Sequence, residues 1–322
     1  MLTPPCWRAG VSPAPPPANT WLRLFVGGWR QTRRSKVCDE GRQLAGQRVL
    51  ITGSNAGIGL ATCRGLLQRG AEVFMACRSE QKAALALAAL RDELGPESSI
   101  SSLPLDLSDL ARVRDCSDRL AKELGDRRID VVVCNAGLWP TRYATSRQGH
   151  EIAFATNVLG HHALLRHMMR GTLAERARIV VLTGDIYALV DDCSPDYRYR
   201  TAVGGMLAYC RSKLGNLWLA DQLRRRFPSL SVAVVHPGIV ASNLGGSGGP
   251  LTRRFRRRAM IDPDRGAQAT LYAASCADLP SDAYLHNTLG LVALADDDPA
   301  RNTARAEHLW DTCERLIEGY VE

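Results

Sequence analysis

Thr52-Gly53-Ser54-Asn55-Ala56-Gly57-Ile58-Gly59 stands between a short apolar run, Arg48 to Thr52, and a helical pattern from Leu60 to Gln68. A strand that turns on glycines straight into a helix is a cradle for a dinucleotide. The glycines permit a tight turn and close approach of backbone to a pyrophosphate, and the helix start offers free N–H groups and positive dipole to that anion. Gly53, Ser54, Asn55, Gly57, Ile58 and Gly59 are therefore candidate cofactor-binding residues. Their glycine spacing, three residues and then one, differs from the one-then-two spacing of the common dinucleotide fingerprint. A plain βα turn would also use glycine, so the surrounding pattern has to decide.

Beyond the loop, short apolar runs alternate with longer amphipathic stretches, the rhythm of βα units around a parallel sheet. Strands are predicted over Arg48 to Thr52, Glu72 to Cys77, Ile100 to Leu105, Val131 to Cys134, Ile179 to Thr183 and Val232 to His236, with a short seventh near Leu285. A last helix, Ala304 to Ile317, sets Leu309, Trp310, Cys313 and Leu316 near one face. No repeat and no second domain interrupts the pattern. The second strand ends at Arg78, about 20 residues past the loop, where an acid would bind a ribose 2′-hydroxyl and an arginine accommodates a 2′-phosphate. Arg78 thus points to NADP, with NAD the lesser choice.

The chain has 322 residues and a formal charge of +8, which would suit a polyanion-binding protein. Residues 1–46 hold seven Arg/Lys against two acids, leaving only +3 for the other 276. A nucleic-acid partner is therefore not expected. Six prolines (Pro4, Pro5, Pro13, Pro15, Pro16, Pro17) precede Thr20, and residues 1–46 read as a Pro-rich basic disordered extension ahead of one domain, 47–322. Its arginines would suit a mitochondrial transit peptide, but the prolines oppose the helix such a peptide needs. No apolar run approaches the roughly 20 residues of a membrane span. The ten cysteines are scattered from Cys6 to Cys313 without a CxxC, which fits a reduced, cytoplasmic setting and no metal site.

The second constellation is Tyr209-Cys210-Arg211-Ser212-Lys213, at the start of a predicted helix running to about Arg225. The i, i+4 spacing puts Tyr209 and Lys213 on one face. The chain uses 37 Arg but four Lys, so a lysine here is a deliberate choice of compact ammonium. Beside a phenol, such a cation lowers the phenol's pKa towards neutrality, as suits a general acid/base.

From Leu44 onward the chain resembles the short-chain dehydrogenase/reductase family, and within it the retinol-dehydrogenase-like branch. Thr52 to Gly59 is similar to the family's TGxxxGxG loop, Asp106-Leu107 to its adenine-side acid segment, Asn135-Ala136-Gly137 to its NAG turn, and Tyr209 to Lys213 to its YxxxK. Thr156-Asn157-Val158-Leu159-Gly160-His161 resembles the branch's N-x-L-G-H segment, Pro237-Gly238 with Ser242 the PGxxxT segment that holds the nicotinamide carboxamide, and Ala306 to Trp310 its last helix. Leu22 to Gly28 looks like the stretch after the membrane anchor of retinol dehydrogenases. The resemblance implies an α/β, Rossmann-type doubly wound sheet with helices on both faces. It also implies hydride transfer between NADP(H) and a small-molecule carbonyl or alcohol. Tyr209 would be the proton donor or acceptor, Lys213 would tune it and hold the nicotinamide ribose, and Asn157 would anchor a proton-relaying water. Dimers are common in the family.

One member of that pattern is missing. Aligning Val181-Leu182-Thr183-Gly184 with the branch's V-S-S ending puts Gly184 on the catalytic serine. Thr183, Asp185 and Tyr187 are the neighbours that could stand in. The alternative is a weak or inactive NADP(H)-binding regulatory protein, which explains Gly184 as readily but not the retention of Tyr209, Lys213 and Asn157 together. After Ser242 the segment that covers the substrate in this fold is glycine-rich (Gly245 to Gly249) and carries Arg253, Arg254, Arg256, Arg257 and Arg258. It reads as a solvated lid, or as a contact for an anionic substrate or an acidic membrane surface.

Overall fold

The computed structural model describes residues 12–13, 38, 43–241, 260–280 and 284–321. Among the described residues nine strands form one sheet: β1 Ser12–Pro13, β2 Arg48–Thr52, β3 Glu72–Cys77, β4 Ile100–Pro104, β5 Ile129–Cys134, β6 Leu173–Leu182, β7 Ser231–His236, β8 Tyr284–His286 and β9 Gly290–Ala293. Their order is β1-β9-β8-β7-β6-β5-β2-β3-β4, parallel throughout except for the β8–β9 hairpin. The chain runs outward from β2 through β3 and β4, then returns to the other side of β2 for β5, β6 and β7. This reversal opens a crevice at the carboxyl ends of β2 and β5, where doubly wound sheets bind ligands.

Helices cover both faces because strand residues alternate between them. Val49 and Ile51 join the core beneath α1 Gly57–Leu67, α2 Glu80–Leu94 and α6 Pro263–Ser275. Leu50 faces the core beneath α3 Leu110–Leu124, α4 Gly160–Met168, α5 Ala202–Arg226 and α7 Thr303–Ile317. No helix among the described residues is long and apolar enough to cross a membrane.

Several elements depart from the sequence expectation. β6 begins six residues early, because Leu173 pairs with Ile129 of β5 ahead of a register shift although only Ala177 to Leu182 carry a core pattern. β9 was not expected: it is a four-residue antiparallel return after the turn at Asn287 to Leu289, too short to stand out. α5 starts seven residues ahead of Tyr209, capped by Thr201, whose hydroxyl accepts from Gly204 N. Its first turn holds Gly204 and Gly205, poor helix formers that hide the start. Gly205 is needed there, since a Cβ would lie 2.0 Å from the Pro140 carbonyl oxygen. Gly205→Ala is therefore expected to cost about 1–3 kcal/mol through overpacking, read as a lower melting temperature.

The packed unit also takes in residues ahead of 47. Leu44 lies in the core, and Cys38 is buried, its N–H donating to Gln268 Oε1 and its carbonyl accepting from Arg69. Ser12–Pro13 run parallel to Val292–Ala293. Single apolar residues in a Pro- and Arg-rich stretch have no period and left no trace in the sequence pattern.

Candidate active site

The glycine loop closes the crevice floor. Gly53 (φ +65°) and Gly57 (φ +58°) take the left-handed region that favours glycine. A Cβ at Gly59 would lie 2.6 Å from both Asn135 Nδ2 and the Gly53 carbonyl oxygen. The first turn of α1 begins at Gly57, three residues before the expected helix. Its N-cap, Ala56, offers no side-chain acceptor, and the turn has no acid. Its N–H groups and dipole thus suit the binding of an anion.

Fourteen of the predicted cofactor-binding and catalytic residues line one cavity of about 640 Å³: Gly53, Asn55, Gly57, Ile58, Gly59, Arg78, Asp106, Leu107, Asn135, Ala136, Gly137, Tyr209, Lys213 and Pro237, together with the expected stand-in Thr183. Arg78 is exposed at the end of β3, beside Ser79 and Lys82 of the same wall. Asp106 is held by Ser108, whose N–H and hydroxyl both donate to Oδ1. Ser54 is buried instead, its hydroxyl donating to the Ile51 carbonyl. Gly238 (φ +88°) turns the chain after β7 without lining the cavity, and Ser242 lies outside the described residues, as do the arginines from Arg253 to Arg258.

Asn157 sits in a π-helical turn, Ala155–Leu159, that leads into α4. Its Oδ1 accepts from Leu138 N and its Nδ2 donates to the Leu138 carbonyl and to Ser212 Oγ, whose hydroxyl in turn donates to the Tyr209 carbonyl. Asn157 therefore staples the 135–138 turn to α5. Buried His161 extends the link, with Nδ1 against the Asn157 carbonyl at 3.1 Å and Nε2 against Thr52 Oγ1 at 2.9 Å. Burial pushes its imidazole down to about 4, so the ring stays neutral. Thr52 Oγ1 accepts from the backbone N–H groups of Asn135 and Ala136. One continuous network thus couples the glycine loop to the Tyr209 helix.

Lys213 is buried, its ammonium donating to the Leu182 carbonyl at 3.0 Å and lying 5.4 Å from the centre of the Tyr209 ring. Burial lowers it to about 8. Tyr209 is part-buried at the cavity wall, and Trp139 stacks on its ring at 5.1 Å and 8°. The sequence reading has the cation bringing the phenol down. The structure has the opposite direction: burial pushes Tyr209 up, with desolvation the largest cause.

Gly184 caps the end of β6 in an extended conformation. A Cβ there would meet nothing nearer than His236 Nδ1 at 3.8 Å and Ile186 Cγ2 at 3.9 Å, so a serine fits. The three expected stand-ins are engaged elsewhere. Thr183 Oγ1 donates to the Lys213 carbonyl, the Asp185 carboxylate accepts from Tyr284 OH and contacts His286, and buried Tyr187 donates to Asp298. Asp185, His236 and His286 form a buried group whose ligand atoms lie within 4.8 Å of one another, a clustering that no sequence motif announced. Their hydrogen bonds put the imidazole protons on Nε2: His236 Nδ1 accepts from Asp185 N, and His286 Nδ1 accepts from Thr288 N and Leu289 N. A metal would need those Nε2 lone pairs or the same occupied Nδ1 positions, so the arrangement favours a hydrogen-bonded cluster.

The short chain dehydrogenase family model matches residues 47–249. The chain belongs to that family. Human retinol dehydrogenase 14 is 34% identical over 92% of this chain and 94% of its own length. Mouse retinol dehydrogenase 12 is 32% identical over 91% of each. Among solved structures, an uncharacterized protein from Mycobacterium Paratuberculosis superposes with a TM-score of 0.68 at 30% identity, covering 88% of this chain and 98% of that one. An alcohol dehydrogenase from the archaeon Thermococcus sibiricus shares the fold, with a TM-score of 0.56 at 22% identity, covering 77% of this chain and 95% of that one. With the family comes the activity class: an NAD(P)-dependent oxidoreductase acting on CH–OH groups. Trp139, Thr156 and Lys82 also line the cavity. Trp139 follows the NAG turn by two residues, the one cue by which it could have been found.

Proposed function

We propose that this chain interconverts a small-molecule carbonyl and its alcohol using NADP(H), with Tyr209 as general acid/base. The observation that carries the reading is one cavity lined together by the glycine loop at a helix N-terminus, Arg78, Tyr209 and buried Lys213. The glycine loop would hold the pyrophosphate, Asp106 and Leu107 the adenine side, and Asn135, Ala136, Gly137, Pro237 and Ser242 the nicotinamide half. The bound dinucleotide supplies or takes up the hydride. In reduction Tyr209 gives its proton to the forming alkoxide, and Lys213 stabilises the phenolate left behind. Asn157 keeps the turn and the Tyr209 helix in register. That the Tyr209–Lys213–Asn157 set persists around Gly184 favours a working enzyme over a cofactor-binding regulator.

The test is NADPH oxidation against a panel of aldehydes and ketones with wild type, Gly184→Ser and Tyr209→Phe. Turnover in wild type that Tyr209→Phe abolishes is expected. Turnover only in Gly184→Ser would make the native chain the binding protein.

Arg78 gives NADP its preference in this reading. A charge-assisted hydrogen bond contributes about 1.5–3 kcal/mol, so Arg78→Gln is expected to raise KM for NADPH roughly 10- to 100-fold while leaving NADH nearly unchanged. Equal losses with both cofactors would remove the 2′-phosphate role. The nine described cysteines are all free and buried, which supports a reduced, cytoplasmic setting.

A further inference from the structure

We propose that Trp139 sets substrate preference by seating a flat aromatic group beside the reacting carbonyl. The inference rests on Tyr209 being the acid/base. The indole lies on the Tyr209 ring, with centroids 5.1 Å apart and planes 8° from parallel, and both residues line the cavity. A substrate whose oxygen meets the phenol hydroxyl therefore brings the group on its carbonyl carbon against the same aromatic wall.

Filling a core does not account for this tryptophan. Trp218 and Trp310 belong to the core that Leu50 faces, whereas Trp139 joins neither core among the described residues and is only half-buried. Tyr209 is its ring partner, and its remaining surface contributes to the cavity wall.

The backbone fixes the indole from both sides. Leu138 is bound through its N–H and its carbonyl by the Asn157 side chain. Pro140 is buried, and its carbonyl oxygen packs so closely on α5 that Gly205 has no room for a Cβ. Proline also confines the residue before it to extended backbone. Trp139 is thus preorganised, and a ligand that meets it loses little to ordering. The same stretch leads from the cofactor residues to the acid. A Cβ at Gly137 would lie 3.6 Å from Lys213 Nζ, and two residues later the indole reaches Tyr209. In the proposed reaction the dinucleotide takes the Asn135 to Gly137 end of this stretch and the substrate the Trp139 end.

An aromatic group suits such a wall better than a saturated one of similar size. Both gain from burying apolar area, but only the aromatic ring adds the electrostatic match of offset or edge-to-face packing.

The test compares benzaldehyde with cyclohexanecarbaldehyde, similar in size and different in flatness, using NADPH with wild type, Trp139→Leu and Trp139→Phe. The quantity read is the ratio of kcat/KM for the two aldehydes, from which intrinsic reactivity cancels between variants. Trp139→Leu is expected to lower that ratio roughly 3- to 10-fold, through KM for benzaldehyde with kcat little changed. Trp139→Phe keeps a ring and should retain most of the preference, and Trp139→Met replaces the leucine variant should that one not fold. An equal fall for both aldehydes, or a fall in kcat alone, would mean that the indole only supports Tyr209; this overturns the inference and leaves the Tyr209 reading standing. Fluorescence of the NADP⁺ complex reads the contact without turnover. Benzaldehyde is expected to quench tryptophan emission more in wild type than in Trp139→Phe, and equal quenching overturns the inference. Absence of turnover in wild type with every carbonyl overturns the Tyr209 reading, and the quench then decides the aromatic seat by itself.

Discussion

Tyr209→Phe is expected to slow NADPH-dependent carbonyl reduction by roughly 10²- to 10⁴-fold, the range for loss of a positioned general acid. NADPH affinity should barely change, because the substitution removes one hydroxyl and keeps the ring that stacks on Trp139. The sign of the pH dependence follows from burial. Tyr209 is pushed above its ordinary value, so at neutral pH the phenol is protonated and ready to donate. Carbonyl reduction should therefore be level from about pH 6 to 8 and fall above that as Lys213 discharges, while alcohol oxidation, which needs the phenolate, should rise about tenfold per pH unit up to about pH 8. Stopped-flow rates in both directions check this. A phenylalanine variant that retains a tenth or more of the wild-type rate would show that another group moves the proton.

The legible parts of the molecule were those whose signal is local. β2, β3 and β7 lie within a residue of expectation because each is an unbroken apolar run ending at a polar or glycine turn. The glycine loop, the Asn135 turn and the Tyr209–Lys213 pair were readable because each lies within a few residues of sequence. What escaped is long-range. Asp185 meets His236 and His286 across 51 and 101 residues. His161 meets Thr52 across 109, and no pattern of period two or 3.6 reports such a meeting. The start of α5 was masked for another reason: Gly204 and Gly205 serve close packing against Tyr199 and Pro140 at the expense of helix propensity.

The sign of the Tyr209 shift is hidden from the sequence on the same ground. Residue spacing reports that a lysine faces a tyrosine, but not that both are desolvated. Charge proximity was visible in the sequence and burial was not, and here burial is the larger effect. Trp139 belongs to the same class of miss. It stacks on Tyr209 because the Asn157 side chain fixes Leu138, one residue away, by both its N–H and its carbonyl.

Lys213→Met is expected to lower kcat/KM by roughly 10²- to 10³-fold, and to do so without lowering stability. Lys213 binds its proton up to about pH 8 in the folded chain, against an ordinary value of 10.5. Between those values the unfolded chain holds more protons, so this group makes stability rise with pH there. Below pH 8 the folded chain bears the full cost of a buried ammonium, roughly 3 kcal/mol at neutral pH. Methionine fills similar space without the charge. At pH 7 the variant should melt no lower than wild type, though its catalysis is nearly gone. Cofactor affinity carries the matching signature. Wild type should hold NADPH evenly below pH 8 and more weakly above it as the ammonium discharges, whereas Lys213→Met should bind weakly at every pH with no such break. Lys213→Arg is not expected to rescue, since the planar guanidinium is bulkier than the ammonium now seated 3.0 Å from the Leu182 carbonyl in a site only 4% exposed. A methionine variant that melts several degrees below wild type at pH 7 would mean that the Leu182 bond outweighs the desolvation of the charge. The lysine would then be a structural strut first and a catalytic cation second.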